Sequence, residues 1–319
     1  MGAHLCYNTP MKNRISPSIS CSVVISLLLC LTACTEAPPP VDPAYAAEVE
    51  AWRSGRLARL TADDGWLTLT GLYWLEPGEN LFGSGEDNAV VLPDSDIPIV
   101  AGQLFLGADG SVNAMANGTE GVNINGGPLT EAALKTDAAG KPDVIAAGRI
   151  KFYIIEREGR LAARVKDPQA STLVEFSGIE NFPIRESFRV EARLEAYEAP
   201  KEVAVPTVLG QDTQYIAPGI LHFAIDGVEY SLEPFLSGPE NENYFLIFRD
   251  ATSAETTYGA GRFLYASAAG ENGKTVLDFN LAYNPPCAFT PYATCPLPPP
   301  QNWLQVAIEA GEKYRGESH

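Results

Sequence analysis

The sequence predicts an all-β protein of two successive sheet-built domains, preceded by one amphipathic helix. Three observations carry that expectation. Alternating segments of about five residues recur from Trp66 to Lys166, with Gly, Asp, Asn and Pro between them. Longer alternating segments continue from Thr172 onward, joined mostly by tight turns. No helical spacing separates the strands, which argues against a parallel α/β sheet.

Residues 1–33 read as a secretory signal. Lys12 and Arg14 precede the apolar run SVVISLLLCLTA, no acidic residue interrupts the segment, and the run is too short for a spanning helix. Its end, Leu31-Thr32-Ala33-Cys34, resembles the lipobox of bacterial lipoproteins. The resemblance implies that Cys34 is acylated and that the membrane is a partner through the lipidated N-terminus. With Thr35 rather than Asp after the cysteine, it also implies an outer-membrane location facing the periplasm. TEAPPPVD makes residues 34–42 a stiff linker, because consecutive prolines favour an extended backbone.

Without Lys12 and Arg14 the 22 basic residues fall to 20 against 40 acidic, a net charge near −20. Such a surface repels phosphate backbones, so nucleic acid is excluded as a partner. Cysteine usage agrees with export. Cys6, Cys21 and Cys30 leave with the signal and Cys34 takes the lipid, so Cys287 and Cys295 remain as an even pair in an oxidising compartment.

Along the body, Asp42 as N-cap and Pro43 at the first helical position predict a helix over 43–63. Tyr45, Val49, Trp52, Leu57 and Leu60 recur at helical spacing, while Glu48, Glu50, Arg53 and Arg59 are expected in solvent. Residues 64–168 follow as a β-sandwich with strands in WLTLTGLYWL, AVVLP, QLFLG, GVNI, RIKFYIIE and LAARV. The order GENLFGSGEDNAVVLP, then NGTEGVNINGG, then RIKFYIIE resembles the forkhead-associated sandwich. That family's phosphate-binding Arg is replaced by Ser84 and its Ser-x-x-His stretch by IVAGQLF, so the resemblance implies the scaffold without phosphothreonine binding.

Residues 169–319 are expected to form a second domain, a barrel or sandwich. Its strands are read in SFRVEARLEAY, EVAVPTVL, GILHFAIDGVEYSLEPF, YFLIFRDA, GRFLYAS and TVLDFNLAY, with a hairpin turn at Asp226-Gly227. After Asn302, LQVAI fits a final edge strand and WLQVAIEAGEKYRG fits a helix; the preceding prolines favour the strand. Together, GWLTLTGLYWLEPGENLFGS, FRDATSAETTYGAGRFLY and DFNLAYNPPCAFTPYATCPLPPPQN resemble the family of domain of unknown function 1684, which implies no activity.

Several chemistries lack their residues. There is no Gly-rich phosphate loop, no His-Glu-x-x-His helix, no Gly-x-Ser-x-Gly elbow and no Cys-x-x-Cys. His222 is the only histidine between the signal and His319, and it sits as an alternating strand residue in the core or on a sheet face. No cofactor or metal is identified. The remaining candidate lies in DFNLAYN. Strand alternation puts Leu277 and Phe279 toward the core, with Asp278 and Asn280 facing solvent or a cleft. Tyr283 and Asn284 follow at the strand exit, and Thr256, Tyr258 and Arg262 could stand opposite. This set could bind a small polar ligand, a glycan or a cation such as Ca²⁺. With Asp250, Glu309 or Glu312 as a second carboxylate it could hydrolyse a glycoside-type bond. It could also be a structural network in an envelope protein without either activity.

Cys287 and Cys295 flank part of a run with seven prolines between Pro285 and Pro300. A disulfide there would close a short loop and contribute about 2.5 kcal/mol by loop entropy, less where the prolines already stiffen the unfolded chain. A staple is the favoured reading, beside a metal clip or an active-site wall.

Overall fold

A computed structural model describes residues 40–118, 121–238 and 240–316. The signal segment and Cys34 lie outside the described residues. No described helix is long and apolar enough to cross a membrane.

Helix α1 spans Pro43–Leu60, and the Asp42 side chain accepts the Ala44 N–H at 2.8 Å as an N-cap. Eleven strands follow in the first half: β1 (Leu69–Trp74), β2 (Gly78–Gly83), β3 (Val90–Val91), β4 (Gly102–Leu106), β5 (Val112–Ala116), β6 (Val122–Ile124), β7 (Gly127–Pro128), β8 (Glu131–Leu134), β9 (Val144–Ala147), β10 (Ile150–Arg157) and β11 (Arg160–Lys166). They make two sheets, β1-β11-β10-β9-β6-β7 and β3-β2-β4-β5-β8. The sheets enclose one core, in which Phe82 of one meets Phe152 of the other edge-on at 5.2 Å. Inward alternation therefore produces a sandwich, as expected.

After a single helical turn, α2 (Ser171–Val174), the second half contains β12 (Arg189–Pro206), β13 (Asp212–Ile225), β14 (Val228–Leu232), β15 (Phe235–Ser237), β16 (Asn243–Phe248), β17 (Arg262–Ser267) and β18 (Lys274–Asp278). A four-stranded sheet in the order β14-β13-β12-β18 and a three-stranded sheet β15-β16-β17 share the interior. The two segments expected as separate strands, SFRVEARLEAY and EVAVPTVL, run together as β12, with a register shift between Ala196 and Lys201. A bulge bends such a long ribbon without ending it. Asp226 and Gly227 both take positive φ (51° and 78°), the turn that an Asp-Gly hairpin requires.

Two expectations fail. TVLDFNLAY is not one strand: β18 stops at Asp278, and Phe279–Leu281 forms a single 3₁₀ turn capped by the Asp278 side chain. The segment after Asn302 is neither strand nor helix, and makes only an isolated bridge at Trp303 and another at Glu312. Its Ile308 and Ala310 carbonyls accept from the buried Arg262 guanidinium rather than from a ladder partner.

Candidate functional site

The inward stripe of α1 is Tyr45, Val49, Trp52, Arg56 and Leu60, one residue every three or four positions, and Tyr45, Trp52 and Arg56 of it meet the second half. Tyr45 reaches Asp278: its hydroxyl lies 2.9 and 2.8 Å from the two carboxylate oxygens. Asp278 also accepts the Asn280 backbone N–H and side-chain amide, both at 3.0 Å. Asn280 is fully buried, donating to the Tyr45 hydroxyl and the Arg185 carbonyl at 2.9 Å and accepting the Arg185 N–H at 3.0 Å. So Asn280 does not share a solvent face with Asp278. The turn after β18 rotates it inward, where every polar atom of its amide finds a partner. Burial and the adjacent carboxylate hold the Tyr45 hydroxyl well above the usual tyrosine range.

A second cluster lies where the chain leaves β18. Arg56 donates to Glu312 at 3.2 Å and to the Asn284 carbonyl at 3.0 Å, and its guanidinium sits 4.9 Å from the Tyr283 ring centre. Glu312 in turn accepts the Asn284 N–H at 2.8 Å. Burial pushes the Glu312 carboxyl above the ordinary carboxylate value, against the lowering influence of Arg56. Tyr283 packs between Trp52 and Phe263, and burial raises its hydroxyl too.

The third cluster centres on Arg262, which is buried with its ion-pair partner. Its Nη2 donates to Asp250 at 2.5 Å and to the Ile308 carbonyl at 2.9 Å, and Nη1 donates to the Ala310 carbonyl at 2.5 Å. Tyr258 does not reach that group; its hydroxyl donates to the Cys287 carbonyl at 3.1 Å. Cys287 and Cys295 are buried, unbridged thiols, with the Cys287 N–H 3.2 Å from Cys295 Sγ.

The sequence-derived residues thus fall into three networks rather than one cleft, the second and third touching where Arg262 Nη1 donates to the Glu312 carbonyl at 3.5 Å. Asp278 is occupied by Tyr45 and Asn280, Asp250 by Arg262, Glu312 by Arg56, and the exposed Glu309 by Arg185 at 3.2 Å. Among the described residues no group of three or more His, Cys, Asp or Glu side chains could hold a metal ion. His222 lies on an exposed sheet face with Glu195 within 3.0 Å. The Ser84 hydroxyl donates to the Ile97 carbonyl at 2.7 Å.

One member of the set does border open space. Asn284 is buried, donates its amide to the Lys313 carbonyl at 2.9 Å, and keeps its side-chain oxygen without a partner. It lines a cleft of about 1010 Å³ between the end of α1, the 171–180 segment and residues 313–316. Phe176 and Phe289, edge-on at 6.1 Å, give the cleft an aromatic wall. Glu180 pairs with Lys313 and Arg315 at 2.8 Å on its rim. Arg56 and Arg53 were missed at the sequence level. Arg53 was expected in solvent, but donates to the Phe182 carbonyl at 3.0 Å and has a side chain only 12% exposed. The available signal was the spacing: Arg56, not Leu57, continues the 45-49-52 stripe.

Residues 174–313 match the family model described as "Protein of unknown function (DUF1684)". The matched span includes FRDATSAETTYGAGRFLY and DFNLAYNPPCAFTPYATCPLPPPQN but not GWLTLTGLYWLEPGENLFGS. Among solved structures, the chain is similar to an uncharacterized protein of Haloarcula marismortui. The identity is 34%, over 44% of this chain and 78% of that one, with a TM-score of 0.38. It is also similar to a forkhead-associated domain from a study of phosphothreonine-dependent interactions, at 20% identity over 30% of this chain and 92% of that one, TM-score 0.21. A further match is the FhaA forkhead-associated domain complexed with an intracellular domain, at 20% identity over 30% of this chain and 97% of that one, TM-score 0.21. No curated protein matches the chain.

Proposed function

We propose that the protein is a lipid-anchored envelope protein that binds a small polar ligand or glycan in the cleft beside Asn284. One observation carries the reading: a buried side-chain carbonyl without a partner, on a residue that lines a cleft of about 1010 Å³. An unpaired buried acceptor costs about 1–3 kcal/mol; this oxygen is closed from solvent, so a ligand donor would recover that cost by displacing the cleft wall over it. Phe176 and Phe289 supply an apolar wall and Lys313, Arg315 and Glu180 a polar rim, the mixture that small-molecule sites use. Acylation at Cys34 would hold this cleft in the periplasm. In that compartment Cys287 and Cys295 are proposed to form a disulfide, two electrons and two protons passing to an envelope thiol oxidant.

The test is thermal shift of the exported chain against neutral sugars, amino sugars and short glycans. At least one class should raise Tm saturably, and Arg315→Ala with Glu175→Ala, both exposed at the cleft, should weaken that response. No saturable shift with any class would refute the reading.

A further inference from the structure

Seven lysines lie among the described residues, and they divide sharply. Lys201, Lys274 and Lys313 each have a carboxylate within 3.1, 2.7 and 2.8 Å. The other four, Lys135, Lys141, Lys151 and Lys166, line one groove of about 1020 Å³ on the outer face of the first sheet. None of these four ammonium groups has a carboxylate within ion-pair distance among the described residues. Lys151 and Lys166 stand directly opposite each other across β10 and β11. Like charges so placed are destabilising without a counter-charge.

The acidic residues of the groove do not supply that counter-charge in full. Asp143 accepts the Asn125 amide at 2.7 Å and the Lys135 backbone N–H at 2.8 Å. Asp137 accepts the Glu156 N–H at 2.9 Å and pairs with Arg157 at 2.8 Å. Asp64 places one carboxylate near Lys166, while its carbonyl accepts the Lys166 ammonium. Four lysines thus line the groove with three carboxylates, one of which, Asp137, is already paired with Arg157 outside it, so the groove is positive on a chain whose net charge is −18. Burial lowers the Lys166 ammonium's proton affinity, and Arg164 and Lys151 add to that effect against the raising influence of Asp64.

We propose that this groove binds a multiply phosphorylated ligand, the four lysine ammonium groups receiving phosphate oxygens. Lysine binds phosphate as a compact point charge with three rotatable donors, so several lysines can each take a separate phosphate oxygen. Tyr153, Pro142 and Val144 line the same groove and give the ligand's body an apolar surface. Lys166 lies 5.4 Å from the Tyr153 ring centre, so charge and ring are presented together. The groove shares no lining residue with the cleft at Asn284, so either assignment can fail alone.

The experiment is calorimetric titration of the purified protein with inorganic tripolyphosphate at low salt. Co-sedimentation with phosphatidylcholine vesicles, with and without equimolar phosphatidylglycerol, runs beside it. Wild type should give saturable heat that shrinks as salt rises. Lys141→Gln with Lys151→Gln should weaken affinity by roughly 100-fold, since each charged hydrogen bond is worth about tenfold. Lys201→Gln with Lys274→Gln, which changes net charge equally, should stay within about twofold, because those lysines lie outside the groove. Lys151→Gln relieves the opposed pair, so Tm should hold or rise and lost binding will not be lost fold. Vesicle binding with the same variant dependence but no tripolyphosphate binding would keep the phosphate chemistry and assign it to lipid headgroups. Absence of both, or equal weakening by the control pair, would overturn the proposal.

Discussion

Tyr45 and Asp278 are 233 positions apart, and the tyrosine hydroxyl sits within 2.9 Å of both carboxylate oxygens. Through this contact the first turn of α1 closes over the exit of β18. Asn280 completes it by donating to the same hydroxyl at 2.9 Å. The polar residues of DFNLAYN act here as a docking platform for the N-terminal helix, and the cleft at Asn284 opens where the far end of that helix arrives.

Removing the hydroxyl should be felt as stability. Tyr45→Phe leaves Asp278 and the Asn280 amide each short of a partner, so a loss of about 1–3 kcal/mol is expected by denaturant unfolding. Arg59→Ala, on the exposed side of the same helix, should stay within about 0.5 kcal/mol.

Glu312 gives a pH signature of defined sign. Its carboxyl is pushed above the ordinary value of 4.5, so between that pH and its folded value the native state holds a proton that the unfolded chain has released. Its contribution is therefore fully favourable below 4.5, declines as pH rises through that window, and then levels. Glu312→Gln should remove this decline from a series of urea melts. A decline of undiminished size in the variant would assign it to other groups.

The Asp250–Arg262 pair is buried on both sides, with side chains 0% and 1% exposed. Asp250→Ala strands a buried guanidinium, and about 3–5 kcal/mol should be lost, enough to unfold the second half or lower its yield. Near-UV circular dichroism and expression level provide the measurements.

Gly311 is needed for its missing side chain. Its φ is +77°, and an added Cβ would lie 2.3 Å from the Ala282 carbonyl oxygen. Gly311→Ala must push the C-terminal segment off the β18 exit, at a cost of at least about 1–3 kcal/mol for the backbone alone. Loss of hydrogen-exchange protection at Glu312, whose N–H donates to Ala282, would report the displacement.

If Cys287 and Cys295 are oxidised in the mature protein, intact mass should fall by that of two hydrogens relative to the reduced form. Reduction should then cost up to about 2.5 kcal/mol of stability, less the share that the prolines already provide. Two titratable thiols in unfolded, freshly exported protein would show that the staple is absent.

Much of the architecture was legible locally. Asp42-Pro43 fixed the start of α1, and Asp226-Gly227 fixed a hairpin, because both depend only on nearby backbone geometry. The candidate site was legible only as a neighbourhood. Alternation carried Asn280 to the wrong side because Asp278 can cap a 3₁₀ turn as readily as extend a strand. The closing segment 303–316 looks like a strand by composition, yet a distant arginine takes the carbonyls that a ladder would need. Arg56 became part of the site through Glu312, 256 positions away, a pairing that no local pattern encodes.

The most direct test is a double-mutant cycle on Tyr45→Phe and Asp278→Asn, with unfolding free energy measured for all four proteins. If DFNLAYN is the docking platform for α1, the two changes should be non-additive, with a coupling energy of about 1 kcal/mol or more. Additive effects, or a stable Asp278→Asn protein with unaltered protection along Pro43–Leu60, would contradict the account.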